Sequence, residues 1–322
     1  MNLSDTSILV TGGTGSFGKA FIREVLKKYN PKRLIIFSRD ELKQHDMQKE
    51  GYDDKRLRYF IGDVRDRNRL YRAMHGVDIV VHAAALKHVP ACEYNPFEAV
   101  QTNILGAQNI IDAAIDAGVK KVVALSTDKA VNPVNLYGAT KLVAEKVFVQ
   151  GNAYSGEGGT RFSCVRYGNV VGSRGSVIPL FLKQKDTGVV TVTDERMTRF
   201  WLTLDQGVEF VLKCLGAMCG GEVFVPKILS MKVMDLKEAV APKCKVKVIG
   251  IRPGEKLHEV LISCDEARHT VEIDGMFVIK PEDPVWDVTK FWSKGKSLPA
   301  DFRYASDTNK EWLTVEELRK ML

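Results

Sequence analysis

The chain has 322 residues, of which 45% are hydrophobic and 27% are charged, the composition of a globular protein with a large core. No apolar run approaches the ~18 residues of a membrane span, and the N-terminal segment lacks the basic region and apolar core of a secretory signal, so we expect neither a membrane nor a secreted protein. The net charge of +7 is too diffuse to indicate nucleic-acid binding.

Strand-like and helix-like segments alternate from the start of the chain. The predicted strands are short runs rich in Val, Ile and Leu, at residues 7–10, 33–37, 57–61, 78–84, 121–126 and 162–167. Helices are predicted at residues 20–28, 99–117 and 315–321, the last capped by Thr314 with Glu317 three residues later. Near-continuous apolar strands separated by helices predict an α/β protein with a Rossmann-like, doubly wound parallel sheet.

A glycine-rich segment follows the first predicted strand and precedes the first helix. Its glycines are Gly12, Gly15 and Gly18, with Ser16 and Phe17 between the last two. Glycine permits a tight turn and a close approach of the backbone to a pyrophosphate, and the helix N-terminus offers free N–H groups to it. Glycine-rich loops often serve only as turns, but the strand before it and the helix after it predict dinucleotide binding.

The residues after the second strand indicate which dinucleotide is bound. An NAD site tends to place an acid there, whereas an arginine accommodates the 2′-phosphate of NADP. This chain has Ser38, Arg39 and Asp40, with Lys43 one turn further on. A hydroxyl, a guanidinium and an ammonium suit a phosphate dianion, so we predict NADP; the alternative is that Arg39 and Lys43 only begin a solvated helix. Asp63-Val64, after the third strand, is expected to hold the adenine.

The chain is expected to divide near Gly172, where the strand–helix pattern loosens. Residues 1–172 are predicted to form the NADP-binding Rossmann-like domain with the catalytic residues. Residues 173–322 are predicted to form a smaller, interleaved substrate-binding lobe and the C-terminal tail.

A Tyr-x-x-x-Lys pair, Tyr137 and Lys141, follows the fifth strand. Positions four apart share a helix face, so the Lys141 charge is expected to lower the pKa of the phenol. Its position at the carboxyl edge of a dinucleotide-binding sheet favours a catalytic role for this pair. The strand itself ends in Thr127, Asp128 and Lys129. An Asp-Lys dipeptide there is usually a solvated turn, but the nearby tyrosine favours a catalytic role.

Several segments together carry a family resemblance. They are TGGTGSFG from residue 11, AAALKHVP at 83–90, STDKA from 126, YGATK from 137, RYGNVVGSRGSVIP from 166 and RPGEKLHE from 252. Over nearly the whole chain they resemble the extended short-chain dehydrogenase/reductases that act on nucleotide sugars. The chain looks most like the inverting UDP-N-acetylglucosamine 4,6-dehydratases of pseudaminic acid biosynthesis, because Asp128-Lys129 stands where typical sugar-nucleotide 4,6-dehydratases carry Asp-Glu.

The resemblance implies a reaction cycle without net redox change. Tyr137, grouped with Thr127 and Lys141, takes the proton of the sugar 4-hydroxyl while C4 gives hydride to NADP+. Lys129, if neutral, removes the C5 proton, Asp128, if protonated, protonates the departing 6-hydroxyl, and hydride returns to C6. Burial would lower the pKa of Lys129 and raise that of Asp128, whereas direct pairing would oppose both shifts.

The resemblance also implies contacts to both ligands. Asn169 is expected to contact the sugar-nucleotide diphosphate, Arg199 and Arg252 to clamp it, and Glu255 to accept from a ribose hydroxyl. The full substrate set is Lys87, Asn169, Ile178, Pro179, Thr193, Met197, Arg199, Arg252 and Glu255. Further cofactor contacts are Ala83, Ala85, Lys87, Tyr137, Lys141 and Val170.

Two other functions are left open by the sequence. A UDP-hexose 4-epimerase would share the loop, Tyr137 and Lys141 but needs no acid–base pair at 128 and 129. A non-catalytic NADPH-binding sensor could dispense with Tyr137. The six scattered cysteines and the histidines lack metal-binding spacing, so we expect no metal and a reduced, cytoplasmic protein. The resemblance implies a homo-oligomer, a hexamer or a dimer.

Overall fold

The computed structural model describes residues 1–171, 177–282, 284, 286 and 291–321. The strands of this part of the chain are β1 Ser7–Thr11, β2 Arg33–Ser38, β3 Leu57–Ile61, β4 Ile79–His82, β5 Lys121–Thr127, β6 Arg161–Tyr167, β7 Asn169–Val170, β8 Val189–Val192, β9 Thr198–Leu202, β10 Val223–Pro226, β11 Leu229–Lys232, β12 Lys245–Val248, β13 Val260–Ile262, β14 Thr270–Ile273, β15 Met276–Ile279, β16 Lys296–Ser297 and β17 Tyr304–Ala305.

The helices alternate with the strands in the first half of the chain. They are α1 Ser16–Lys28, α2 Glu41–Lys49, α3 Arg67–Met74, α4 Val89–Tyr94, α5 Pro96–Val100, α6 Gly106–Asp116, α7 Leu136–Ser155, α8 Val177–Lys185, α9 Leu204–Ala217, α10 Val233–Val240, α11 Cys264–Ala267 and α12 Val315–Met321. A π turn spans Gln101–Leu105, and 3₁₀ turns span Asp128–Ala130 and Phe291–Lys294. Among the helices described, none is both long and apolar enough to cross a membrane.

The main sheet has the strand order β16-β14-β15-β10-β6-β5-β4-β1-β2-β3. The strands from β10 to β3 are parallel to their neighbours, and β14, β15 and β16 extend the sheet in antiparallel pairs. The order in which successive strands are added to the sheet reverses between β1 and β4, although these two strands are parallel. Doubly wound sheets bind ligands at this position. The predicted Rossmann-like α/β fold is confirmed.

Apolar side chains cover both faces of the sheet, as expected for parallel strands. Alternate residues of β1 point to opposite faces, so Leu9 joins the core cluster under α3, α6 and α7, whereas Ile8 and Val10 join the cluster under α1 and α9. Each fully buried aliphatic side chain of this kind contributes ~1.5–3 kcal/mol to folding. The sheet therefore forms the rigid central layer on which the loops at its carboxyl edge are held.

The chain after residue 176 divides between the sheet and a smaller body. It gives β10, β14, β15, β16 and α9 to the sheet. The smaller body contains the sheets β11-β9-β7 and β12-β8 and the helices α8, α10 and α12, around a separate apolar cluster. The predicted cap of the last helix is confirmed, since the Thr314 hydroxyl accepts from the Glu317 N–H and the Glu317 carboxylate accepts from the Thr314 N–H.

The predicted helix at residues 99–117 is not continuous. It is interrupted by the π turn Gln101–Leu105, which carries the buried Asn103. The Asn103 amide bonds both the N–H and the C=O of Leu86 and donates to the Thr140 hydroxyl. Apolar spacing alone predicts an unbroken helix, because it carries no information on where a buried amide finds its partners.

Candidate functional site

A cleft of about 860 Å3 runs along the carboxyl ends of β1, β4 and β5 and continues between the sheet and the smaller body. Most predicted site residues line it. On the dinucleotide side these are Gly12, Gly15, Ser16, Phe17, Gly18, Ser38, Arg39, Lys43, Asp63, Val64, Ala83, Ala85 and Lys87. Further along are Thr127, Lys129, Tyr137, Lys141, Asn169, Val170, Thr193, Met197, Arg199, Arg252 and Glu255.

Two of the predicted substrate residues point elsewhere. Ile178 is buried in the apolar cluster of the smaller body, and Pro179 is exposed to solvent. Leu180 and Phe181 of the same helix line the cleft instead. Helix α8 begins at Val177, which also lines the cleft, so the positions three and four residues later share its face and the two between them do not.

The glycines let the loop after β1 pack closely against the backbone around it. Gly12 has a φ of +66°, and a Cβ there would lie 2.9 Å from the Ala84 nitrogen. A Cβ on Gly18 would lie 2.5 Å from the Cα of Gly13. Gly15 is the N-cap residue of α1 and provides no side-chain cap, so the first N–H groups of the helix are left without a capping side chain. Gly15, Ser16 and Phe17 line the cleft at this helix N-terminus. This cradle fits the pyrophosphate of a dinucleotide.

The loop after β2 has one cation that is held only loosely. Asp40 caps α2 by accepting from the Lys43 N–H, and its other oxygen lies 3.0 Å from Lys43 Nζ. The Arg39 side chain is 57% exposed and lies 3.8 Å from the Asp63 carboxylate, which is bonded more closely by Arg65. Because Lys43 is already paired, Arg39 is the cation of this loop most available to an added phosphate.

The 3₁₀ turn after β5 places Asp128 behind the cleft wall. Its side chain is fully buried and does not line the cleft. The Thr127 hydroxyl donates to Asp128 Oδ1 over 2.9 Å and itself lines the cleft. Asp128 Oδ2 has no hydrogen-bond partner in the described part of the chain. The carboxyl group is therefore one hydrogen bond removed from the cleft.

The Lys129 ammonium lies among several acceptors. Nζ is 3.0 Å from Asp128 Oδ1, 3.4 Å from Asn169 Oδ1 and 3.4 Å from Glu259 Oε1. An ammonium has three N–H groups, so these acceptors match its donors in number. Lys129 is thus held between two carboxylates and an amide from three different elements.

The charges of this cluster shift the pKa values in different directions. Burial raises the pKa of Asp128, and the nearby Glu259 adds to the rise. Burial lowers the pKa of Lys129, but the carboxylates of Asp128 and Glu259 together raise it above its usual value. Burial raises the pKa of Glu259, but the cations of Lys129, Arg199 and Lys256 together hold it below its usual value. Of the two carboxyl groups, Asp128 therefore retains its proton to higher pH than Glu259 does, and Lys129 retains its own proton above its usual range.

Tyr137 and Lys141 lie on the same face of α7, as predicted, but the charge that acts on the phenol is a different one. Burial raises the pKa of Tyr137 to about 12, and the Lys129 charge opposes this rise. The Lys141 ammonium donates to the Leu125 carbonyl over 2.6 Å, and burial lowers its pKa. The expected effect of Lys141 on the phenol is therefore replaced by that of Lys129.

The two predicted arginines differ in how much of each guanidinium is available. Arg199 donates to the backbone carbonyls of Thr198, Lys256 and Leu257, and its side chain is largely buried. Arg252 is exposed and lies 3.8 Å from Glu255. Arg252 is thus free to reach a phosphate from the mouth of the cleft, whereas Arg199 forms part of its wall.

Residues 8–281 match the family described as Polysaccharide biosynthesis protein. The chain belongs to this family. It is 52% identical to a protein of Campylobacter jejuni named UDP-N-acetylglucosamine 4,6-dehydratase (inverting), over 98% of this chain and 97% of the relative. It is 40% identical to a Rickettsia felis protein named UDP-glucose 4-epimerase, over 99% of this chain and 95% of the relative.

Solved structures of relatives share the fold. The X-ray structure of Pen from Bacillus thuringiensis is 42% identical with a TM-score of 0.90, covering 100% of this chain and 98% of that chain. A dTDP-glucose 4,6-dehydratase from Streptomyces venezuelae, solved with NAD and DAU bound, is 25% identical with a TM-score of 0.69, covering 78% of this chain and 87% of that chain. The family resemblance drawn from the sequence is confirmed.

Sequence reasoning missed several residues of this family member's cleft, Glu259 and Trp201 among them. Glu259 belongs to the RPGEKLHE segment, from which only Arg252 and Glu255 were selected. A second acid four residues after Glu255 was the available signal. Trp201 lines the cleft from β9, and its buried indole N–H has no hydrogen-bond partner among the residues described. Nothing in the sequence distinguishes it from a core tryptophan.

Proposed function

We propose that this protein is a lyase that converts UDP-N-acetylglucosamine to UDP-2-acetamido-2,6-dideoxy-β-L-arabino-hex-4-ulose, the first step of pseudaminic acid biosynthesis. The observation that carries the proposal is the hydrogen bond between the buried Asp128 carboxyl and the Lys129 ammonium beside the cleft. Loss of water across C5 and C6 needs an acid for the hydroxyl and a base for the C5 proton. The identity of 52% to the C. jejuni enzyme of this name supports the proposal.

The cofactor that fits this cleft best is NADP. A nicotinamide dinucleotide supplies the transient oxidation by taking hydride from C4 and returning it to C6. The glycine loop and the start of α1 would hold its pyrophosphate, and Asp63-Val64 would lie at the adenine. Arg39 favours the 2′-phosphate form, because its guanidinium is exposed while Asp40 is occupied as a helix cap. The solved relative with bound NAD supports a nicotinamide dinucleotide as such.

The residues at the end of β5 and on α7 divide the proton transfers between them. Tyr137 takes the proton of the 4-hydroxyl, helped by the positive charge of Lys129, which lowers the cost of the phenolate. Oxidation at C4 acidifies the C5 proton. Lys129 releases its ammonium proton to water in the cleft that it lines, and the neutral amine then removes the C5 proton. Asp128, whose pKa is raised by burial, gives its proton to the departing 6-hydroxyl through the Thr127 hydroxyl that lines the cleft, and water leaves. A second donor, Tyr137 or water, protonates C5 on the opposite face, which inverts its configuration.

The sugar nucleotide would occupy the part of the cleft between β7 and the smaller body. Lys87, Thr193 and Met197 line this part, together with Arg252 and Glu255 at its mouth. Arg252 and Asn169 suit the diphosphate, and Glu255 suits a ribose hydroxyl. Arg199 supports this wall through the backbone carbonyls that its guanidinium bonds.

A direct test is incubation of the purified protein with UDP-N-acetylglucosamine and no added cofactor, followed by mass spectrometry of the nucleotide sugar. The proposal predicts a product lighter by one water. The Rickettsia relative supports a second function, UDP-hexose 4-epimerase, which predicts a product of unchanged mass. An epimerase has no use for the acid–base pair at Asp128 and Lys129, so we favour the dehydratase.

We also propose that the protein is a cytoplasmic homo-oligomer, a dimer or a hexamer. Tyr94 of α4 and Phe97 of α5 are 87% and 81% exposed. Large exposed aromatic side chains this close together in the chain are typical of protein interfaces. Light scattering of the wild type and of the Tyr94→Ser, Phe97→Ser double variant tests this: the wild type is expected to be an oligomer, and a monomeric wild type would contradict it.

A further inference from the structure

Glu259 is a buried carboxylate at the cleft that none of the proton transfers above uses. It is 2% exposed and directly precedes β13. Its Oε1 lies 3.4 Å from Lys129 Nζ and 3.7 Å from Arg199 Nε, and its Oε2 has no hydrogen-bond partner in the part of the chain described. A buried carboxylate with one unpaired oxygen is costly to fold, and such groups concentrate at functional sites.

The backbone holds Glu259 firmly in place. Its N–H donates to the Ser306 hydroxyl over 2.9 Å, and its C=O accepts from the Ser306 N–H over 2.8 Å. The side chain therefore meets Lys129 from an element that is separate in sequence from β5. The distance between Glu259 Oε1 and Lys129 Nζ is therefore set by the fold and not by an exposed, flexible side chain.

Two carboxylates share the single Lys129 ammonium, and their surroundings differ. Glu259 also faces the cations of Arg199 and Lys256, whereas the cations that act on Asp128 are Lys129 and, to a smaller extent, Lys256. When two acids compete in this way, the one with more cations stays ionised and the other takes the proton. Lys87 and Tyr137 complete the titratable groups that face the cluster.

We propose that Glu259 is a positioning residue for the dehydration. Its ionised carboxylate balances the positive charge of Lys129, and thereby leaves Asp128 free to carry the proton that the departing 6-hydroxyl needs. This inference rests on the proposed function. Without Glu259, Asp128 would be the sole counter-ion of Lys129 and would have to ionise. Asp128 would then no longer act as a general acid, although neither Asp128 nor Lys129 had been substituted.

The variant Glu259→Gln keeps the shape and removes the charge. The Glu259 charge stabilises the protonated forms of both Asp128 and Lys129, so its removal lowers both pKa values. Turnover needs a protonated Asp128 and a neutral Lys129, and the two limbs of the pH–rate profile report the two macroscopic pKa values of this coupled pair. Both limbs of the pH–rate profile should therefore move to lower pH, by about one unit or more, and kcat near neutral pH should fall by up to about 10²-fold with little change in KM.

Two further variants distinguish charge from structure. Glu259→Asp keeps the charge, so the limbs of its pH–rate profile should stay at the wild-type pH, although kcat falls. Glu272→Gln removes an exposed carboxylate that pairs with Lys227 away from the cleft. This variant should match the wild type in both its kcat and the position of its pH–rate profile. Thermal unfolding of each variant shows whether it is folded.

The outcomes separate this inference from the proposed function. A wild type that releases no water from UDP-N-acetylglucosamine refutes the proposed function. A dehydrating wild type with a Glu259→Gln profile at unchanged pH overturns the role of Glu259 alone. If Glu259→Gln does not fold or has no measurable turnover, the Glu259→Asp profile decides: an unshifted profile supports the inference, and a shift to lower pH overturns it.

Discussion

The Nζ of Lys129 donates to Oδ1 of Asn169 over 3.4 Å, so the amide expected at the substrate diphosphate is bonded to the proposed catalytic base. Lys129 lies two residues after Thr127 of β5 and Asn169 two residues after Tyr167 of β6, and the parallel pairing of Thr127 with Tyr167 brings them together. A diphosphate oxygen would accept from Nδ2 of this amide, whose Oδ1 already accepts from Lys129. The substrate diphosphate and the proposed base are thereby linked through a single side chain.

Asn169→Asp tests this link, because it places a third carboxylate at Lys129 with almost no change in shape. Added negative charge stabilises the ammonium and raises the pKa of Lys129. The added carboxylate stabilises the protons held by the coupled Lys129–Asp128 pair, so the pH–rate profile should move to higher pH. This direction is opposite to that expected for Glu259→Gln. An Asn169→Asp profile that coincides with that of the wild type would show that the contact does not control Lys129.

Asp128→Asn should block water loss while the glycine loop, Tyr137 and Lys141 remain intact. General acid catalysis typically contributes ~10²–10⁴-fold, so turnover should fall by about that factor. Calorimetry should show that UDP-N-acetylglucosamine still binds. Asp205→Asn, which alters an exposed partner of Arg23, is the matched control and should keep full activity. Dehydration by Asp128→Asn near the wild-type rate would remove Asp128 from the mechanism.

Arg39→Ala should weaken NADP binding by roughly 1–3 kcal/mol, the scale of a lost charge-assisted contact, and leave NAD binding unchanged. The reason is that Arg39 is the available cation of the loop after β2, whereas Lys43 is paired with Asp40. Fluorescence titration of the cofactor-depleted protein with each dinucleotide measures both affinities. Arg67→Ala, at an exposed ion pair with Asp116, serves as control. An equal loss for NAD and NADP would mean that Arg39 does not contact the 2′-phosphate.

Arg166→Met should destabilise the fold by about 3–5 kcal/mol, the cost of leaving a buried ionic partner unpaired. Arg166 is 2% exposed and donates to both Glu145 of α7 and Glu266 of α11, which ties these helices to β6. Urea unfolding measures the loss. Arg268→Ala breaks only an exposed pair with Asp265 and should change stability by less than ~1 kcal/mol. Similar midpoints for the two variants would contradict this account of Arg166.

The sequence predicted the parallel sheet because its strands are apolar on both faces. The run at 33–37 became β2, in which Leu34 and Ile36 face one helix layer and Ile35 and Phe37 the other. The strands β14, β15 and β16 were not predicted, since they belong to the later half of the chain and reach the sheet only through long-range pairing with β10. Local patterns carry no information on such pairing.

The candidate site could be predicted as far as its residues lie in contiguous motifs. Thr127, Lys129, Tyr137 and Lys141 all line the cleft, as their position after β5 indicated. Glu259 was missed because its contact with Lys129 spans residues far apart in the chain. The balance between burial and pairing at Asp128 and Lys129 also needed the structure, because that balance depends on this third charge.

Lys129 is the residue on which the inverting assignment depends. Lys129→Ala should abolish dehydration, since no other group contacts both Asp128 and Asn169 at the cleft among the residues described. Lys129→Glu restores a carboxylate base of the kind found in typical 4,6-dehydratases, and it tests whether the identity of the base alone sets the configuration at C5. An Ala variant with wild-type turnover would exclude Lys129 as the base.

The most direct measurement is the NMR spectrum of the product that the wild-type protein forms from UDP-N-acetylglucosamine in D2O without added cofactor. The account predicts loss of one water, one deuterium at C5 and the L-arabino configuration, because Lys129 removes the proton from one face and a second donor restores one on the other. A 4-keto product with retained configuration at C5 would contradict the inverting assignment, and a C4 epimer formed without loss of water would contradict the dehydratase.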